Sequence, residues 1–349
     1  MRVLVLGGTR FIGPPAVRRL VELGHEVAVF HRGQTHADLP DSVAHIYGDR
    51  NHLADFSEDF RRFGADIVLE MNAGTEQEGK ILLDLFLGMA RRLVVISSGD
   101  VYRAYDRFRK IDPGLPDATP LTEDSPLRDR LYPYRHYAKG HEDYGYHYEK
   151  ILMEKAVQSA PEKLPATVLR LPMVYGPGDY QMRLFPYVKR MDDQRQVILL
   201  SEHQAQWRGL RGYVEDVGEA IALCVVSEKA SGRTYHVADK VNATEREWVE
   251  QIAMATGWQG KIVVLPHDQM PEHLRADRNY AQDWSLDSSR IREELGYVQP
   301  TPEADAMLRS VRWQQANPHR DFDPNNFNYT AEDAAGRGLT RSKFGSVQQ

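Results

Sequence analysis

A single cysteine, Cys224, stands among 349 residues, so no intrachain disulfide is available. It lies in the apolar run 220–226 and reads as a buried small hydrophobe. No apolar run approaches the length of a membrane span. A charged residue at position 2 followed by four apolar ones is too short for a signal peptide. Basic runs are missing too: 44 Lys and Arg stand against 50 Asp and Glu, a formal charge of −6, which opposes a chain that tracks a nucleic-acid backbone. The 13 histidines form neither His-Glu-x-x-His nor a cysteine/histidine cluster, so no metal site is expected. A Gly-x-Ser-x-Gly elbow is absent, which removes the usual hydrolase triad. These absences leave a soluble, cytoplasmic protein of enzyme size, with a small-molecule substrate expected in place of nucleic acid or membrane. Its hydrophobic content of 42% and charged content of 27% are ordinary for that class.

What is present is an alternation of strands and helices. Strands are expected at 2–6, 26–31, 44–47, 66–71, 92–97 and 166–171, and helices at 14–23, 77–89 and 144–159. This order implies right-handed βαβ crossovers and an α/β fold on a Rossmann-type, doubly wound parallel sheet. Residues 1–171 are expected to form the dinucleotide-binding domain, completed by about 213–240. Residues 172–212 and 241–315 are assigned to a smaller C-terminal substrate-binding α/β lobe, and 316–349 to a polar tail that is extended or disordered. Five prolines between Pro113 and Pro133 make 103–135 a long loop, of the kind that covers a site.

The chemistry starts at the N-terminus. The apolar strand 2–6 runs into Gly7-x-x-Arg10-x-x-Gly13 and then an amphipathic helix. Such a unit aims backbone N–H groups and a positive helix end at a pyrophosphate. Arg10 stands where a middle glycine is usual. The second strand ends in His31-Arg32-Gly33, where an acidic residue would take ribose hydroxyls and an arginine suits a 2′-phosphate. Arg32, with Arg10, therefore favours NADP over NAD. Asp49 in Gly48-Asp49-Arg50 is placed to accept from an adenine amino group, and Asn72-Ala73-Gly74 offers small residues past which a cofactor can run.

Of 17 tyrosines only Tyr146 has a lysine four residues later, Lys150, inside a helical pattern that would put both on one face. An ammonium beside a phenol favours the phenolate. Lowering a tyrosine from about 10 towards 7 needs about 4 kcal/mol. One cation at about 4 Å supplies on the order of that at an effective dielectric near 20. Tyr146 is thus expected to act as general acid/base, with Lys150 tuning it and holding the cofactor ribose. Ser98, at the carboxyl edge of the fifth strand, is placed to donate to a substrate oxygen.

Together these pieces resemble the extended short-chain dehydrogenase/reductase superfamily, and within it the NAD(P)-dependent epimerase/dehydratase family. The resemblance runs through the 7–13 loop, 97–102, Tyr146-x-x-x-Lys150 with Glu154, Leu-Arg-Leu-Pro-Met-Val-Tyr-Gly-Pro-Gly-Asp at 169–179, Arg-Gly-Tyr-Val-Glu-Asp-Val at 211–217, and 287–297. It implies an NAD(P)-dependent oxidoreductase acting on a sugar-like or polyhydroxylated small molecule, with Ser98, Tyr146 and Lys150 catalytic. Asp100 lies where some sugar dehydratases of the family carry an acid, and so joins them as a second acid/base. The expected cofactor contacts are Gly7, Thr9, Arg10, Phe11, Ile12, Gly13, His31, Arg32, Asp49, Arg50, Asn72, Ala73, Gly74, Ser97, Tyr146, Lys150, Pro172 and Met173. Arg10 resembles the atypical branch that contains the chloroplast stem-loop-binding proteins, so a non-catalytic nucleic-acid-binding protein on the same fold is the alternative. Met173 replaces the asparagine that faces the substrate diphosphate in nucleotide-sugar enzymes, and the stretch between Tyr102 and Tyr146 is longer than theirs. A homodimer is common in the family.

Overall fold

Short apolar, β-branched runs bounded by glycine and charged residues give seven parallel strands, all but the exposed edge strand at 44–47 largely buried on both faces. The computed structural model describes residues 1–35 and 37–342. The strands are β1 Arg2–Leu6, β2 Glu26–His31, β3 Ala44–Tyr47, β4 Ile67–Glu70, β5 Arg92–Ser98, β6 Ala166–Leu171 and, far along the chain, Thr234–His236. This last strand, β10 in chain order, pairs with β6 to give the order β10-β6-β5-β4-β1-β2-β3. β7 Met173–Tyr175 pairs with β9 Arg211–Tyr213, and β8 Val197–Ser201 with β11 Lys261–Leu265, each pair parallel and outside the main sheet. The strand order reverses between β1 and β4, so the ligand crevice of a doubly wound sheet opens above these two strands.

The helices are α1 Gly13–Glu22, α2 Ser57–Phe63, α3 Glu76–Phe86, α4 Arg103–Phe108, α5 Tyr144–His147, α6 Lys150–Val157, α7 Phe185–Asp192, α8 Glu202–Gln206, α9 Val214–Val226, α10 Glu245–Thr256, α11 Ser289–Leu295, α12 Glu303–Ala316 and α13 Tyr329–Ser342. α1 packs on α9 closely enough that a Cβ on Gly218 would lie 2.5 Å from the Pro15 side chain. α3 packs on α6 in the same way, with Gly79 against Ala156. A capping box at Thr75 and Glu78 starts α3.

Three expectations need correction. The helix expected over 144–159 is broken: Tyr148 (φ −61°, ψ 118°) and Glu149 (φ −157°, ψ 93°) are extended between α5 and α6. Glu149 is the cause. Its carboxylate accepts from Ile151 N at 2.9 Å, which makes it the N-cap of α6. The 103–135 stretch opens with α4 and is cross-braced by Asp117, which meets Arg103 and Arg107 at 2.6 Å each. The tail is not extended as far as it is described: α13 docks through Glu332, a buried carboxylate held by Arg190 at 2.6 Å and His273 at 2.9 Å. Residues 343–349 of the expected tail lie outside the described residues.

Candidate active site

Two adjacent features lie at the carboxyl edge of the sheet. The first is a cleft of about 960 Å³ above β1, β2 and β4. Gly7 (φ +95°) and Gly8 (φ +85°) turn the chain out of β1 in a conformation that side chains oppose. Gly13 lets α1 start against this turn, since a Cβ there would lie 2.3 Å from Gly8 Cα. Gly7, Thr9, Arg10, Phe11, Ile12, His31, Arg32, Asp49, Arg50 and Asn72 all line the cleft. Arg10 Nε donates to Thr35 Oγ1 at 3.0 Å, which ties the glycine loop to the loop after β2. Among the described residues neither Arg10 nor Arg32 meets a carboxylate, so both cations are free to meet an anion. Glycines without room for a Cβ, a helix N-terminus and these cations suit the pyrophosphate and adenosine end of a dinucleotide.

Other expected cofactor contacts sit elsewhere. Ser97 is buried and its hydroxyl donates to Glu154 Oε1 at 2.5 Å, within the Glu154–Arg170 ion pair below the sheet edge. That hydroxyl is committed to the core. Gly13, Ala73 and Gly74 back the cleft without lining it; Ala73 O and Gly74 O accept from Lys150 Nζ at 2.5 Å and Glu149 N at 2.7 Å. Pro172 and Met173 pack on the far side, Pro172 against Gly212 and Met173 in the apolar cluster with Trp207 and Leu210. Arg50 reaches the cleft wall but bridges Glu70 and Glu78 at 3.2 and 3.1 Å. Asp49 uses Oδ1 to accept from Asn51 N, so it also shapes its own turn.

The second feature is a polar cluster beyond β5. Asp100 is buried, and its Oδ2 accepts from the Tyr134 and Tyr148 hydroxyls at 2.9 and 3.0 Å. Its Oδ1 has no hydrogen-bond partner among the described residues. Burial pushes the Asp100 carboxyl up, against the pull of Arg128 and the two phenols. The Ser98 side chain lies beside the Tyr148 phenol, whose ionisation is pushed up by burial and by the Asp100 carboxylate. Lys150 is buried, donates to Ala73 O and to Ile96 O at 2.7 Å, and sits 6.0 Å from the Tyr148 ring centre. Burial lowers its ammonium.

Tyr146 does not join this cluster. Its ring packs on His141 at 4.1 Å and under the Arg135 guanidinium at 4.5 Å. The broken helix explains this, because the extended pair Tyr148–Glu149 turns residue 148, not 146, towards Ser98. Glu149 itself is fully buried, paired with Arg128 at 3.1 Å and accepting from Tyr132 N at 2.5 Å. Residues that sequence reasoning missed are Tyr148, Glu149, Tyr134 and, at the cleft mouth, Tyr144 and Tyr180. The run Tyr144-Gly-Tyr-His-Tyr148 offered three phenols before Lys150, and spacing alone selected the wrong neighbour for Ser98. For Glu149 no local pattern stood out, since its partners Arg128 and Tyr132 come from the 103–135 segment, the lid.

The fold is a doubly wound, Rossmann-type α/β sheet with a glycine-lined cleft at its switch point. Residues 81–238 match the model of the NAD dependent epimerase/dehydratase family, which bears out the resemblance read from the motifs. Among curated relatives, a dTDP-glucose 4,6-dehydratase of Streptomyces niveus is 29% identical over 159 residues, 44% of this chain and 43% of the relative. The chloroplast stem-loop binding protein of 41 kDa b of Arabidopsis thaliana is 25% identical over 276 residues, 75% of this chain and 65% of the relative. A 2′-dehydrokanamycin reductase of Streptomyces kanamyceticus is 25% identical over 283 residues, 78% and 72% of the two chains. The chain thus spans less than half the length of the first relative and 65% of the second. The fold is shared with the UDP-glucose 4-epimerase of Thermotoga maritima (TM-score 0.67, 17% identity, 91% of this chain and 100% of that one). It is shared also with the dTDP-glucose 4,6-dehydratase of Streptomyces venezuelae, solved with NAD bound (TM-score 0.64, 22% identity, 91% and 98%).

Proposed function

We propose that the protein is an NAD(P)-dependent oxidoreductase acting at a hydroxyl or carbonyl carbon of a sugar-like, polyhydroxylated small molecule, with NADP preferred. The observation that carries this reading is the convergence of Tyr148, Ser98, Asp100 and Lys150 beside a cleft of dinucleotide size. The glycine loop would hold the pyrophosphate, Asp49 the adenine, and Arg10 and Arg32 the 2′-phosphate. When bound, the nicotinamide supplies hydride exchange with the substrate carbon. Tyr148 supplies the proton. Because burial and Asp100 oppose its ionisation, the phenol is held as an acid, ready to protonate a carbonyl oxygen. Ser98 donates to the same oxygen and fixes its position. Asp100 Oδ2 accepts from the Tyr148 hydroxyl at 3.0 Å and so orients it, and the proton given up returns from solvent. Lys150 anchors the β4 and β5 ends on which the site is built.

Two experiments test the reading. Cofactor released from the denatured protein, and its oxidation state, separate an enzyme that retains and recycles its dinucleotide from a reductase that exchanges it. Titration with NADPH and NADH should show NADPH bound at least about tenfold more tightly, the effect of one good phosphate contact. Tighter NADH binding would refute the assignment of Arg10 and Arg32.

One observation favours the nucleic-acid alternative, the likeness to the stem-loop binding protein over 276 residues. The net charge of −6 and the clustered acid/base groups weigh against it. Salt-dependent RNA binding without cofactor turnover would reverse the ranking.

A further inference from the structure

At the adenosine end of the cleft, β2 and β3 place two imidazoles in contact. His31 Nε2 lies 2.8 Å from His45 Nδ1, and His31 Nδ1 lies 3.3 Å from Gly33 N. The backbone N–H of Gly33 can only donate, so Nδ1 of His31 must carry a lone pair. A neutral His31 then bears its proton on Nε2 and donates it to His45 Nδ1. The arrangement therefore fixes both rings as neutral tautomers. His31 lines the cleft beside Arg32, Gln34 and Thr35, with Arg10 across from it, whereas His45 stands behind it on β3.

The surroundings tell against a charged His31 in the free protein. Arg32 adjoins it in sequence, Arg10 approaches from the glycine loop, and His45 is its direct partner. Tyr47 of β3 packs on both rings, at 5.0 Å from His31 and 6.0 Å from His45. The nearby acid on the cleft wall, Asp49, is engaged by Asn51 N. Burial and His45 both lower the His31 imidazolium accordingly. A dianion placed between His31, Arg32 and Arg10 reverses this balance.

We propose that the His31–His45 pair is a proton-coupled subsite for the cofactor's 2′-phosphate, in which His31 takes up one proton from solvent when the phosphate binds. Protonation turns Nδ1 from acceptor into donor. The Gly33 N–H loses its acceptor at the same moment, so Nδ1–H and Gly33 N–H become two donors for phosphate oxygens. His45 keeps accepting from Nε2–H and holds the ring in register. The inference rests on the NADP reading above, and it adds that the preference for NADP depends on pH.

The test is fluorescence titration of the full chain with NADPH and with NADH from pH 6.5 to 8.5. Over this range the 2′-phosphate is largely a dianion, its second ionisation lying near pH 6. NADPH affinity should fall with rising pH by up to about tenfold per unit, the limit for one linked proton, while NADH affinity stays flat. His31→Gln should flatten the NADPH profile. His45→Ala, which removes the partner that opposes protonation, should move the steep part to higher pH. Repeating the titration with His36→Asn separates the pair from the third histidine of this stretch. A flat NADPH profile in the unaltered protein, or an unchanged slope in His31→Gln, would overturn the proposal even if NADPH is preferred. Equal NADPH and NADH affinity at every pH would overturn the cofactor reading itself.

Discussion

The glycine loop after β1 is held by its own neighbours, whereas the turn between α5 and α6 is held by the lid. Gly13 N donates to Arg10 O three residues back, and Gly7 N to Phe30 O on the adjacent strand. Glu149 takes its ion pair from Arg128, 21 residues away, and a further N–H from Tyr132, a lid residue in the left-handed region at φ +59°. A loop whose shape comes from glycine geometry keeps that shape in any member of the fold. A turn whose shape comes from a buried carboxylate and a distant arginine depends on the whole lid. The difference places the shape of the glycine loop under local control and the choice of the phenol beside Ser98 under tertiary control.

This contrast can be broken from either side. The largest effect is expected at Glu149→Ala, which strips the cap from α6 and leaves Arg128 buried and unpaired. The loss of stability should be about 3–5 kcal/mol, read by urea denaturation, with the lid made accessible to protease. Resistance to protease in that variant would show that the lid is held otherwise. Gly13→Ala attacks the other side. Its Cβ meets the Gly8 backbone, a strain of about 1–3 kcal/mol, and dinucleotide affinity should fall while the lid stays protected. The smallest effect belongs to Thr75→Ala at the start of α3. Loss of that capping box should cost about 1 kcal/mol in a melt and spare both the cleft and the polar cluster.

The same division explains what was legible in the sequence. Strands β1, β2, β3 and β6 have the bounds that their sequence pattern implied, and for β1, β2 and β6 burial on both faces leaves little choice of register. The cleft residues from Gly7 to Arg32 were legible for the same reason, being fixed by strand ends and glycines. Tyr146 was not, because its helical spacing to Lys150 is real in sequence and is interrupted in space by Glu149. Ser97 was misread as a cofactor contact because alternation along β5 sends its side chain to Glu154 and that of Ser98 to the site. Glu332 docks α13 through partners on α7 and on the 272–274 turn, which no pattern within the tail could announce.

The central claim is that Tyr148, and not Tyr146, is the proton-transferring phenol. It is tested by NADPH consumption with a panel of keto sugars, comparing Tyr148→Phe and Tyr146→Phe at equal cofactor saturation. The account predicts that Tyr148→Phe lowers kcat by about 10²–10⁴-fold with NADPH affinity retained, and that Tyr146→Phe stays within about tenfold of the unaltered enzyme. Loss of turnover in Tyr146→Phe with full activity in Tyr148→Phe would contradict it.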